Sequence, residues 1–176
     1  LHDGRNFGRM IISNAYQTSE VVVVVNQHRK GAVTAGTHWE IQKGRKELTE
    51  LYISYRLKKI GGSMWASKSI GILNHLLAID EENQWFRLMK VQAFLVGKQK
   101  QEAEWLLDEY RRYAEDMTTP EYGYYLYLCT LYEREPSYVN RLAQQIEEIY
   151  RKHESNHILF WIRLFVKKEY CENSAQ

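Results

Sequence analysis

Three helix-start signals recur at nearly constant spacing and restrict the fold more than any other feature. They fall at Asn83, Pro120 and Asn156, in "DEENQWF", "TTPEYGYY" and "ESNHILF". Each is a polar, cap-like run followed by aromatic or apolar residues, and the beats are roughly 36–37 residues apart. Thr119 before Pro120 is the favoured N-cap and first-turn pairing. The first two helices so started are each followed, after "GKQKQEA" and "EREPSYV", by a second helical stretch. Two helices per unit at this period predict antiparallel helix pairs stacked as a tetratricopeptide-like α-solenoid, because one pair cannot bury its apolar faces alone.

The apolar stripes agree with this reading. Ala103, Leu106, Leu107, Tyr110 and Ala114 form one i, i+3, i+4, i+7 set, and Val139, Leu142, Ala143, Ile146 and Tyr150 form another. Ile70, Leu73 and Leu77 mark an earlier helix, and Trp85, Leu88, Met89 and Val96 mark the next. The run "YGYYLYLCTLY" is apolar or aromatic nearly all round, which predicts a central helix packed on several sides. A last helix begins near Asn156 and carries Ile158, Ile162, Phe165 and Val166. The tetratricopeptide skeleton is matched at Trp85, Leu88, Gly97, Ala103 and Leu107, whereas Met89 stands where glycine is usual.

The first helix is expected from residue 37, where "THWE" forms a capping box between Thr37 and Glu40. Its stripe is Ile41, Leu48, Leu51, Tyr52 and Tyr55, with Gly44 a weak point and "GGS" at 61–63 as its end. "LYISYRL" also fits a strand, but the capping box and the length favour helix.

Residues 1–30 have a different character. "RMIIS" and "EVVVVVN" are β-branched runs joined by "NAYQTS", the pattern of a β-hairpin. Two strands cannot cover both faces of Val21–Val25. Self-association through the hairpin, or cover from the chain's own helices, is therefore expected. The division expected is a hairpin at 1–30, helical repeats at 37–168 and a disordered tail at 169–176.

A formal net charge of +2, with basic residues scattered among acidic ones, does not indicate nucleic acid as a partner. The segments "HRKG", "KGRK" and "RLKK" read as solvated surface. Cys129 and Cys171 form no C-x-x-C pair, and no apolar run reaches membrane-spanning length. With no signal peptide visible, a cytoplasmic location is expected; the initial Leu suggests a piece of a longer protein.

His153-Glu154-Ser155-Asn156-His157 spells H-E-x-x-H, the zinc-hydrolase signature. That chemistry needs both imidazoles on one face of a continuous helix, with Glu154 as base and a third ligand downstream. Here Ser155-Asn156 falls on a repeat boundary, Arg151 and Lys152 precede it, and only Glu169 and Glu172 follow. A helix break is expected, with no metal bound and no other cofactor. "VGKQK" lacks the rest of a phosphate loop and reads as an interhelical turn. His38 and His75 read as ordinary helix residues. Tyr122, Tyr124, Tyr125, Tyr127 and Tyr132 read as core, with hydroxyls reaching a groove edge.

The stretch "ILNHLLAIDEENQWFRLMKVQAFLVGKQKQEAEWLLDEYRR", continued by "EYGYYLYLCTLYEREPSYVNRLAQQIEEI" and "LFWIRLF", resembles a family of large bacterial multi-domain proteins carrying a domain of unknown function. In that family immunoglobulin-like β domains precede long tetratricopeptide-like arrays. The resemblance covers residues 45–167 and, more weakly, "DGRNFGRMIISNAYQ", which is similar to the closing hairpin of such a β domain. It implies architecture and supplies no active site. The function expected is a non-catalytic scaffold that holds a protein or peptide partner on its concave face. A zinc-dependent hydrolase using His153, Glu154 and His157 is the first alternative, and a nucleic-acid-binding module the second.

Overall fold

A computed structural model describes the backbone of residues 5–13, 18–26 and 35–174 and the side chains of residues 35–168. The chain is mainly α. Among the described residues two strands, β1 (Arg5–Ser13) and β2 (Thr18–Asn26), precede seven helices: α1 (Ala35–Arg56), α2 (Gly62–Ile79), α3 (Gln84–Val96), α4 (Lys100–Tyr113), α5 (Pro120–Tyr132), α6 (Pro136–Lys152) and α7 (His157–Ser174). It divides into two compact units, residues 1–99 and 100–176.

In the first unit β1 and β2 pair antiparallel, with Arg5 opposite Asn26 and Ser13 opposite Thr18, and β1 is the strand that lies along α1. The cover over the side chains of Val21–Val25 lies outside the described residues. α1 packs on α2, and α2 on α3. One core cluster joins Ile41, Leu48, Leu73, Leu76 and Phe86. A second joins Trp65, Ala66 and Ala93, with Trp65 stacked on Tyr55 at 5.2 Å and edge-on to Tyr52 at 6.2 Å. "LYISYRL" is helical through Arg56.

Three expectations about α1 change. It starts at Ala35, so Thr37 lies inside its first turn and not at the cap. It ends at Arg56, well before the glycines. Lys59 N donates to Ser54 O at 2.9 Å and Lys58 takes a left-handed φ of 58°, the Schellman ending with lysine where glycine is usual. Gly61 and Gly62 therefore open α2, with Gly61 as its extended N-cap residue. Gly44 is a contact point: a Cβ there would lie 2.7 Å from Leu76 Cδ2, so its absence sets the close approach of α1 to α2.

In the second unit α5, α6 and α7 pack on one another, and α4 packs on α5. Gly123 through Thr130 are all buried, eight residues in succession, as expected of a helix covered on several sides. α7 continues to Ser174, into the segment expected to be a tail from residue 169.

The caps form where the spacing places them. Asn83 Oδ1 accepts from Phe86 N at 3.1 Å, Thr119 Oγ1 from Tyr122 N at 3.1 Å, and Asn156 Oδ1 from Leu159 N at 3.0 Å. Each satisfies an amide that has no partner within its own helix. Glu135 caps α6 in the same way, accepting from Tyr138 N at 2.8 Å ahead of Pro136.

Candidate functional site

The cap at Asn156 decides the geometry of H-E-x-x-H. α6 stops at Lys152, and His153 has φ −137° and ψ 46°, outside the helical region. α7 begins only at His157. The continuous helix that would aim both imidazoles at one ion is not formed. His153 instead hydrogen-bonds through Nε2 to the carbonyl of Thr118 at 2.8 Å, tying the α6–α7 turn to the loop that enters α5. Among the described residues no three His, Cys, Asp or Glu side chains gather as ligands for a metal. The side chains of Glu169 and Glu172 lie outside the described residues.

"VGKQK" forms a second Schellman turn. Gln99 N donates to Phe94 O at 2.8 Å and Lys98 takes φ 61°. Gly97 serves close packing, since a Cβ there would lie 3.0 Å from the Cβ of Ala66. "KGRK" is split by its helix: Lys43 covers the Trp39 ring at 5.3 Å, Lys46 faces Glu50 at 3.9 Å, and Arg45 is buried. "HRKG" lies outside the described residues. His38 lies in the first turn of α1, and His75 on α2 faces Glu40 at 3.8 Å. Among the described residues no helix is long and apolar enough to cross a membrane.

The tyrosines of the second unit form a network between α4, α5 and α6. Tyr110 lies 4.9 Å from Tyr125, and Tyr122 5.3 Å from Tyr125, measured between ring centres. The Tyr125 and Tyr138 hydroxyls hydrogen-bond to the Cys129 thiol. Burial pushes that thiol up, against the pull of those hydrogen bonds. A thiol held protonated is no nucleophile. Burial likewise raises Tyr110, Tyr125, Tyr122 and Tyr138 above the usual phenol value of 10.0.

This has a consequence in alkali. Groups that hold their protons more tightly when folded contribute stability that is whole below the ordinary values of 9.0 and 10.0 and is lost as pH rises through the raised ones. The second unit should therefore unfold cooperatively in alkali. Tyrosinate absorbance should lag behind that of the chain in denaturant, then rise together with loss of helical circular dichroism. Tyr125→Phe should make the loss shallower. Smooth, reversible ionisation near the ordinary phenol value would show instead that water reaches the cluster.

An opening lies elsewhere, between α1 and α2. It holds about 550 Å³ and is lined by Glu47, Glu50, Leu51 and Ser54 of α1 and by Lys68, Gly71 and Ile72 of α2. The helices run antiparallel: Trp65 meets Tyr52 and Tyr55 at one end, and His75 meets Glu40 at the other. Helical spacing puts Glu47, Glu50, Leu51 and Ser54 on one flank of α1, and Lys68, Gly71 and Ile72 on one flank of α2. Leu51 and Ile72 each border a different core cluster, so the groove floor is the seam where the two meet. A Cβ at Gly71 would touch nothing within 4 Å, which leaves one stretch of the wall low. Sequence reading singled out neither wall. Gly71 inside a helix was the one available signal. A smaller opening of about 250 Å³ separates α2 from α3, lined by Ser67, Ile70 and Phe94 among others.

These features define a mainly α protein of capped, aromatic-rich helices with a groove between two of them and no gathered metal ligands among its described residues. More particularly, residues 1–176 match the N-terminal part of a family of unknown function, DUF5717, and the chain belongs to that family. No curated protein and no solved structure matches it.

Proposed function

We propose that the chain is a non-catalytic protein-interaction module, a run of tetratricopeptide-like helix pairs within a larger protein. The supporting observation is the repeated cap. The same side-chain-to-amide bond starts α3, α5 and α7 at the repeat spacing. Repeated helical units expose long grooved surfaces, and binding is their ordinary use. On this reading the division follows the composition: strands at 1–30 as the end of an immunoglobulin-like β domain, and repeats from 37 onward, in a cytoplasmic protein. The interruption of H-E-x-x-H supports binding over hydrolysis, because the base and both imidazoles lack the helical frame that their chemistry needs.

The test is photo-crosslinking of the chain in cells at positions along α1 and α2, followed by mass spectrometry. The expected result is one protein partner recovered reproducibly from groove positions and not from control positions on the opposite face. Recovery of nucleic acid alone, or stoichiometric zinc with peptidase activity that disappears in His153→Ala, would overturn the reading.

A further inference from the structure

We infer that the α1–α2 groove receives a short amphipathic helix from another protein, one that carries lysine or arginine along the edge facing α1. The inference rests on the interaction reading above and names the class of occupant. Size comes first. From Glu47 to Ser54 the groove follows α1 for about 10 Å at ~1.5 Å per residue, close to two helical turns. An occupant of that length sets apolar residues at i and i+4 against Leu51 and Ile72, the usual engagement of a helix in a groove. The bare stretch at Gly71 lets its backbone come close to α2.

Charge then selects the occupant. The chain as a whole is net positive at +2, but the groove reverses that sign. Its lining holds two carboxylates, Glu47 and Glu50, and one ammonium, Lys68. Both carboxylates stand on the α1 wall and Lys68 stands on the other. A basic edge toward α1 therefore meets opposite charge, and the reverse orientation sets like charges together. Glu50 is available for this role. Its contact with Lys46 is 3.9 Å long with side chains 79% and 63% exposed, a surface pair that an incoming cation displaces at little cost. The neighbouring α2–α3 opening holds less than half the volume and has no charged lining residue, so it offers no comparable selection.

The experiment is fluorescence anisotropy with the full 176-residue chain and two labelled helical peptides of about 14 residues. Both carry the same leucine stripe; one is flanked by lysines and the other by glutamates. The lysine peptide should bind at least about tenfold more tightly, and added salt should weaken it. Glu47→Lys with Glu50→Lys should reduce its affinity by about tenfold or more. Gly71→Trp, which fills the groove at a position where an added side chain meets no neighbour, should abolish binding with circular dichroism unchanged. Equal affinity for the two peptides, or lysine-peptide binding untouched by Gly71→Trp, overturns the inference. If crosslinking still captures a partner in the Gly71→Trp chain, the groove is wrong and the interaction reading stands. If the wild-type chain captures none, that broader reading fails.

Discussion

Gly123→Val should destabilise the second unit by about 3 kcal/mol, at the upper end of what overpacking a filled core costs. A Cβ at 123 would clash with Leu159 Cδ2 and lie 3.6 Å from Ile149 Cγ2. Leu159 is fully buried on α7, so its methyl has no space to move into without displacing a neighbour. Gly123→Ala should cost less, about 1 kcal/mol, because alanine regains about 1 kcal/mol of helix propensity while introducing the same clash. Leu159→Ala alone should cost about 2–5 kcal/mol through its cavity. The decisive measurement is the double variant in urea denaturation. The alanine methyl at 123 occupies part of the space that leucine leaves, so Gly123→Ala with Leu159→Ala should be more stable than the sum of the single costs by about 1 kcal/mol or more. Strict additivity would mean that α5 and α7 do not meet at this glycine.

The same glycine shows what could be read from the chain and what could not. The caps were legible because each is a local contract: a side-chain oxygen at Asn83, Thr119 or Asn156 bonds an amide three residues ahead. Such a bond needs no knowledge of the rest of the fold. The all-round apolar character of α5 was legible for a related reason, since no exposed face fits such a composition. Gly44 and Gly123 are different. Within one helix they read only as poor helix formers, and their value lies in Leu76 and Leu159 on other helices. Gly61-Gly62 misled for the converse reason. α1 ends earlier in a turn with Lys58 at positive φ, so the glycines start the next helix. The H-E-x-x-H spacing was informative only when weighed against the repeat, and the break falls at the boundary the repeat marks. The groove walls gave almost no signal. Glu47, Glu50 and Lys68 are ordinary helix-surface charges until two helices set them opposite one another.

Arg45 was the least legible residue, and it carries the second large effect. In "KGRK" it reads as solvated charge, yet it lies between Ile41 and Leu48 on the core stripe of α1 and is only 6% exposed. Among the described residues none of its three guanidinium nitrogens has a hydrogen-bond partner. Its compensation comes from the Phe86 ring at 5.7 Å and from the field of Asp80. Burial pushes its pKa well below the usual guanidinium value, to about 10, and Asp80 holds it from falling further. It is therefore charged at neutral pH. Because the unfolded chain binds this proton more tightly, its burden on the fold is present below about pH 10 and is relieved as pH rises above that. Asp80 is itself 7% exposed at the end of α2 and accepts from Asn83 Nδ2 at 3.1 Å. Asp80→Asn keeps the shape and keeps an acceptor for Asn83, and removes only the charge. Leaving a buried cation uncompensated should cost the first unit about 3 kcal/mol, the lower end of what breaking a buried pair costs, since the two groups interact without a direct hydrogen bond. Adding Arg45→Met should restore most of that loss, because an apolar chain of similar length fills the site with nothing left to solvate. Arg45→Met alone should fall between the two, as it removes the cation whose field Asp80 meets. Urea denaturation of the four proteins gives the coupling directly. If Asp80→Asn lies within about 0.5 kcal/mol of wild type, or if Arg45→Met does not rescue it, then Arg45 does not depend on that carboxylate and the account of the first unit's core is wrong.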